Sequence, residues 1–276
     1  MAPRTQRKNG GKKSVAGGSA TRLNPASPTA LPAPRKGSKG AERLAREIVR
    51  RIYEMDLKPG DKFLSEVDAL TEFKVARGTL REALRYLQIQ GVLNIRTGPG
   101  GGHFVSSPQW ENLAHTLALM LQFAGASMQS LIDARAMIEP AMAKMAAENV
   151  TDADLKVMDD ALAALRLHIG NYPVFHMHYM RFWDGLAGAT QNPLFFFLSP
   201  ALRRITESSR MVPNEISQAE VVRQAKKIRD AVAAGDPAKA FSTMSKLEER
   251  YRTNLPLMHP RKMAKVISWA DFQDEI

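Results

Sequence analysis

Residues 57–106, "LKPGDKFLSEVDALTEFKVARGTLREALRYLQIQGVLNIRTGPGGGHFVS", constrain the fold most, because two helical periods and two strand-like runs are crowded between strong turn signals. Pro59 and Gly60 form a turn that neither helix nor strand continues. Ser65 is placed to cap a short helix by accepting from the backbone N–H near Asp68, with Leu70 and Phe73 as its apolar face. After a break at "KVARG", "RGTLREALRYLQIQG" places Leu80, Ala83, Leu84 and Leu87 on one stripe, with Gly91 as the residue after the cap. "VLNIR" and "GHFVS" then flank "TGPGG", in which Pro99 and the glycines dictate a hairpin turn.

Upstream, Leu44, Ile48, Ile52 and Tyr53 recur with helical spacing from Ala41, and Arg43, Arg46, Glu47, Arg50 and Arg51 fall elsewhere, so this is an amphipathic first helix. Three helices and a hairpin, in that order, make a winged helix-turn-helix. In that fold the third helix enters the major groove, and side chains near its N-terminus meet base edges and phosphates. Arg77, Thr79 and Arg81 lie there, and Arg85 continues their face one turn on. Arginine forks suit guanine O6/N7 and phosphate alike.

The net charge of +11 is uneven: residues 1–40 hold nine Lys or Arg and no acid, while residues 108–276 balance at nineteen of each sign. Residues 1–40 are also rich in Gly, Pro, Ser and Ala, too poor in large apolar groups to offset the entropy of ordering, so a disordered basic tail suited to a polyanion is expected. There is no cysteine, which removes disulfides, thiolate metal sites and thiol nucleophiles. With no apolar run of membrane length and no secretory leader, no membrane association is expected and the cytoplasm is the expected location.

From Trp110 to about Leu257 the chain reads as six or seven amphipathic helices with little strand signal. Thr151 with Asp154, Asn192 before Pro193 and Asp236 before Pro237 mark helix starts. The fold class is therefore mainly α. Residues 41–107 form the winged helix-turn-helix, 108–257 an all-α bundle for effector binding and dimerisation, and 258–276 a C-terminal tail. In "FHMHYMRFWDGLAGATQNP", His176 and His178 are two apart and point to opposite sides of a helix, so they cannot share a metal as an i,i+4 pair could. His176, Tyr179 and Trp183 share one stripe, which either lines a pocket or fills core.

The first fifty residues quoted resemble the DNA-binding domain of GntR-family bacterial transcription regulators: a Pro-Gly turn, a Ser-Glu pair, an Arg-x-Thr-Val-Arg-Glu-Ala-Leu-like helix and a Gly-rich wing. Carried over by position, the resemblance to the FadR-like subgroup implies DNA contacts by Arg77, Thr79, Arg81 and the wing at Gly98. Val67, Ala76 and Gly78 depart from the pattern, each removing a polar contact. "LIDARAMIEPAMAKMAA", "FWDGLAGATQNPLF" and "IRDAVAAGDPAKA" resemble the FCD ligand-binding domain. That resemblance implies that Arg135 reaches an effector carboxylate, although spacing alone also allows an i,i+4 ion pair with Glu139. It further implies that the positions at which many FCD domains hold a divalent metal are here Tyr179, Trp183, Ala225 and Leu247, none of them a usual ligand set. A pocket with no metal or other cofactor is expected, lined by Arg135, His176, Tyr179, Trp183, Ala225 and Leu247. It suits a carboxylate or a larger apolar metabolite.

Taken together, these features describe a homodimeric regulator that binds a double-stranded DNA operator and a small organic effector. An architectural DNA-binding protein and a helical-domain enzyme are the alternatives. No Ser/His/Asp arrangement, His-Glu-x-x-His helix or phosphate-binding glycine motif supports an enzyme, because the glycines at 98 and 100–102 lie between strands and not before a helix.

Overall fold

The computed structural model describes residues 36–209, 211 and 215–271. The expected disordered tail falls outside these residues up to Arg35. Its last five positions are helical, since α1 spans Lys36–Glu54 and begins two residues after Pro34, with no further proline to interrupt it. Ala41, Leu44, Ala45, Ile48 and Ile52 are buried, and Tyr53 is 82% exposed. Tyr53 was expected on the buried face; one residue past Ile52 it is rotated about 100° off the stripe that meets the third helix.

The short helix α2 (Glu66–Phe73) is capped by the Ser65 hydroxyl, which accepts from the Asp68 N–H at 3.2 Å. Ala69 is its fully buried residue, and Leu70 and Phe73 are half-buried beside it. Helix α3 (Arg77–Ile89) buries Leu80, Ala83, Leu84 and Leu87 against α1. Strands β1 (Leu93–Arg96) and β2 (Gly102–Val105) pair antiparallel in the register Leu93↔Val105 to Arg96↔Gly102. The hairpin is tied to the Pro-Gly turn, where the Gly60 N–H donates to the Val105 carbonyl at 2.8 Å.

The rest is helical: α4 (Trp110–Phe123), α5 (Met128–Asn149), α6 (Asp152–Leu167), α7 (Tyr172–Ala189), α8 (Pro193–Glu207), α9 (Glu215–Ala233) and α10 (Pro237–Met258). Thr151 and Asp154 form a reciprocal capping box, and Asn192 and Asp236 cap α8 and α10 through their side chains. One apolar core lies among α5, α6, α7, α9 and α10; a second joins α4, α5 and α8.

The expected C-terminal tail does not begin at 258. A further turn, α11 (Pro260–Ala264), buries Met263, and Ile267 follows it into the α4/α5/α8 core. Past α11 the chain turns extended, Val266 bridges to Ser127 and the Ile267 N–H donates to Ala126 O at 2.9 Å, so this segment offsets its ordering entropy by burial.

Candidate DNA-reading face and effector cavity

Arg77 opens α3, and Arg77, Gly78, Arg81 and Arg85 are exposed while Thr79 is half-buried. The four buried residues of α3 take up its other side, so the arginines are left on the outer face by the same pattern that builds the core. Arg81 donates to Glu66 of α2 at 3.1 Å yet remains 72% exposed, so this is a surface pair that orients the side chain and adds little stability. Gly98, at φ +94°, sits in the exposed tip between β1 and β2, a conformation that favours glycine. The departures from the resemblance are visible here. Val67 is exposed on α2, Ala76 occupies the N-cap of α3 without a side-chain bond, and a Cβ at Gly78 would meet open space.

The end of the recognition helix is fastened to the helical domain. Asn112 on α4 donates its side-chain N–H to the Ile89 carbonyl at 3.2 Å and accepts from the Gln109 N–H at 3.2 Å. Gly91 passes so close that a Cβ there would stand 2.9 Å from the Asn112 side-chain oxygen.

Within the helical domain a cavity of about 590 Å3 opens among α5, α7, α8, α9 and α10. Arg135, His176, Tyr179 and Leu247 line it; Trp183 and Ala225 do not, and both are buried in the core. Trp183 does lie on the stripe of His176 and Tyr179, with the Tyr179 and Trp183 rings 5.9 Å apart edge-on. It stands seven residues, roughly 10 Å, farther along α7 than His176. There the Arg203 guanidinium covers its ring at 4.4 Å and closes that end. Ala225 faces the apolar core of α5, α6, α7 and α10.

Behind the cavity wall lies a buried ionic cluster, of which helical spacing offered only the Arg135–Glu139 pair. Glu139 is its centre: it accepts from Arg135 Nε at 2.8 Å and from one Arg203 terminal nitrogen through both oxygens at 2.9 Å. Arg135 also donates to the Thr206 hydroxyl at 3.0 Å, and Arg203 to the Tyr179 hydroxyl at 3.2 Å. Glu248 of α10 completes the group, 3.8 Å from Arg135 and close enough to Glu139 for each carboxyl to bear on the other's charge. Burial would push the Glu139 carboxyl up, but Arg135 and Arg203 outweigh it and hold it well below the usual range. Burial, followed by the Glu139 charge, pushes Glu248 up to about 8. Arg135 is the charged member of this cluster that also lines the cavity.

Along α7 the rings of Tyr172, His176 and Tyr179 follow one another, with centroids 5.5 and 6.3 Å apart. His176 Nε2 lies 3.1 Å from Glu207. On the far side Glu220 accepts from Arg250 at 2.7 Å and from Arg223 at 2.5 Å, pairs that are half open to water. His178, expected to point away from His176, does so: it stacks on His168 at 5.6 Å. No group of three or more His, Cys, Asp or Glu placed to hold a metal occurs among the described residues.

Residues 40–105 match the family described as bacterial regulatory proteins, gntR family, and residues 130–249 match the FCD domain. The HTH-type transcriptional regulator LutR of Bacillus subtilis (strain 168) is 30% identical over 197 residues, covering 68% of this chain and 89% of the relative. The chain belongs to the gntR family of bacterial regulatory proteins. As a member of that family with an FCD domain, it is a DNA-binding transcription regulator and not an enzyme. The galactonate operon transcriptional repressor of Escherichia coli (strain K12) is 23% identical, covering 71% of this gntR-family chain and 87% of the relative. Streptococcus agalactiae GntR shares the fold, with a TM-score of 0.59 at 22% identity over 77% of this chain and 98% of that one. No helix among the described residues is long and apolar enough to cross a membrane.

Proposed function

We propose that this regulator acts in the cytoplasm as a homodimer whose two winged heads read a near-palindromic operator, and that a small organic anion in the α5–α10 cavity sets the affinity. Arg77, Thr79, Arg81 and Arg85 contact bases and phosphates from α3, and the wing at Gly98 approaches the backbone. Two heads on one dimer bind adjacent half-sites with higher affinity and a fixed register.

The observation that carries the reading is the unbroken path from cavity to recognition helix. Arg135 lines the cavity and shares Glu139 with Arg203 of α8, α8 packs its Ala201, Leu202 and Ile205 in one core with Ala114 and Ala118 of α4, and α4 holds the end of α3 through Asn112. A ligand that draws Arg135 toward the cavity loads the Glu139 bridge and so biases α8 and α4. It must bind the two head arrangements with different affinity for switching to follow.

The reading is tested by selecting genomic fragments with the purified full chain. One enriched motif with two related half-sites, absent when Arg77→Ala replaces the native protein, is the expected result. Recovery of fragments without a common motif would leave only charge-driven binding and end the proposal.

A further inference from the structure

Resting on the cavity's reading as the effector site, we infer that the effector is an aromatic monocarboxylate, its carboxylate against Arg135 and its ring laid along Tyr172, His176 and Tyr179. Three features of the cavity carry this.

The first is charge. Arg135 is buried, and its Nε and one terminal nitrogen are engaged by Glu139 and Thr206, while the other terminal nitrogen is 3.8 Å from Glu248, beyond hydrogen-bond distance. Arg203 takes up both oxygens of Glu139, so Arg135 shares a carboxylate that is already bonded twice and keeps one terminal nitrogen beyond hydrogen-bond distance of the cluster's carboxylates. A buried guanidinium nitrogen left without a bond is expensive, and a carboxylate satisfies it. The hydroxyl-bearing rings of Tyr179 and Tyr251 border the same wall and offer further donors.

The second is the limit on charge. Glu207 and Glu220 also line the cavity, so a second anionic group would meet carboxylates and water-screened arginines, not a second buried cation. Arg223 and Arg250 share the single carboxylate of Glu220, and the positive charge left between them is screened by water at 61% and 52% side-chain exposure. Among the described cavity residues Arg135 is the buried guanidinium, which matches a monoanion and not a dicarboxylate or a phosphate ester.

The third is shape. Tyr172, His176 and Tyr179 place three successive rings on the cavity wall over two turns of α7, roughly 10 Å, and Phe175 and Tyr251 add further ring surface. A planar π-system meets such a wall by offset stacking or edge contact, which a saturated ring of equal area cannot reproduce. About 590 Å3 accommodates one ring with a short acidic side arm and leaves room for substituents.

Calorimetric titration of the full chain with four probes of matched size tests this: 3-phenylpropionate, 3-cyclohexylpropionate, 3-phenylpropanamide and phenylsuccinate. The expected order places 3-phenylpropionate first. The cyclohexyl acid should follow roughly 3- to 10-fold weaker, from the lost ring contacts, and the amide roughly 10- to 100-fold weaker, from the lost charge. Phenylsuccinate should also bind less tightly. Val221→Trp, which fills the cavity from α9 without touching the ionic cluster, should abolish the heat, and circular dichroism checks that its fold is kept. Equal or tighter binding of the cyclohexyl acid or the dicarboxylate, lost in Val221→Trp, overturns the aromatic monoanion while leaving the cavity as an effector site. Saturable binding that persists in Val221→Trp removes the cavity itself and the function proposed above with it.

Discussion

Replacing Glu139 by Gln and, separately, Glu248 by Gln should have opposite consequences, although the two carboxyl groups touch one another in the same buried cluster. Glu139→Gln takes the only carboxylate from between Arg135 and Arg203, both buried, and leaves two guanidiniums face to face. Breaking a buried ion pair from one side costs about 3–5 kcal/mol. Glu248 already carries its proton at pH 7, so Glu248→Gln exchanges one neutral donor for another, a change of about 1 kcal/mol or less at acidic pH. The pH dependence fixes the sign. The folded-state pKa of Glu248 is raised from 4.5 to about 8, so folding retains a proton that the unfolded chain releases. Its contribution to stability falls as pH rises from about 4.5 to about 8 and is level beyond. Glu248→Gln should therefore gain on the native protein across that window, by at most the one-proton limit of about 1.4 kcal/mol per pH unit. Glu139 behaves in the opposite sense, since its lowered pKa contributes stability above about 4.5 that is lost as pH falls toward 2. Urea unfolding at pH 5, 6, 7 and 8, at one protein concentration, measures both. Equal losses for the two variants at pH 7, or a Glu248→Gln curve parallel to the native one, would mean that Glu248 is ionised in the folded chain.

Three further outcomes are expected. Arg77→Ala and Arg81→Ala should each weaken specific operator binding by about 1–3 kcal/mol with an unchanged unfolding curve, because both side chains are outside the core; normal affinity in a gel-shift titration would remove that residue from the interface. Ala76→Ser should stabilise the winged domain by about 0.5–2 kcal/mol in thermal unfolding, since Ala76 has extended N-cap dihedrals and no side-chain bond to offer. Protein purified without chelators should contain no stoichiometric zinc, nickel or manganese by elemental analysis, since Tyr179, Trp183, Ala225 and Leu247 stand at the positions the FCD resemblance marks for ligands; one equivalent of any of them would contradict this.

What was legible in the sequence was whatever periodicity and turn chemistry control. The stripe of α3, its cap and wing, and the starts of α6, α8 and α10 follow from local spacing and from side chains that bond their own backbone. The aromatic run on α7 was legible as a stripe but not in depth, because only the position of Arg203 decides that the cavity stops at Tyr179 and that Trp183 belongs to the core. Arg203 and Glu248 could not be found at all. Each lies among other charged residues, Arg204 beside one and Glu249 and Arg250 beside the other, and reads as part of a solvated face. Their burial depends on partners 64 and 109 residues away in the chain, a tertiary pairing that no local pattern encodes. The C-terminal segment was missed for a related reason: Met263 and Ile267 are two apolar residues in a polar stretch, and their core partners come from α4, α5 and α8.

The central claim is that the cavity and the recognition helix are coupled, and operator affinity measured with and without saturating 3-phenylpropionate tests it most directly. By fluorescence anisotropy on the selected operator, the native chain should change its Kd by about 5- to 150-fold, the usual range of allosteric coupling. Asn112→Ala, which cuts the tie between α4 and the Ile89 carbonyl, should bind both ligand and operator but lose most of that change. A ligand that binds the cavity with native affinity and leaves the operator Kd of the native chain unchanged would contradict the account.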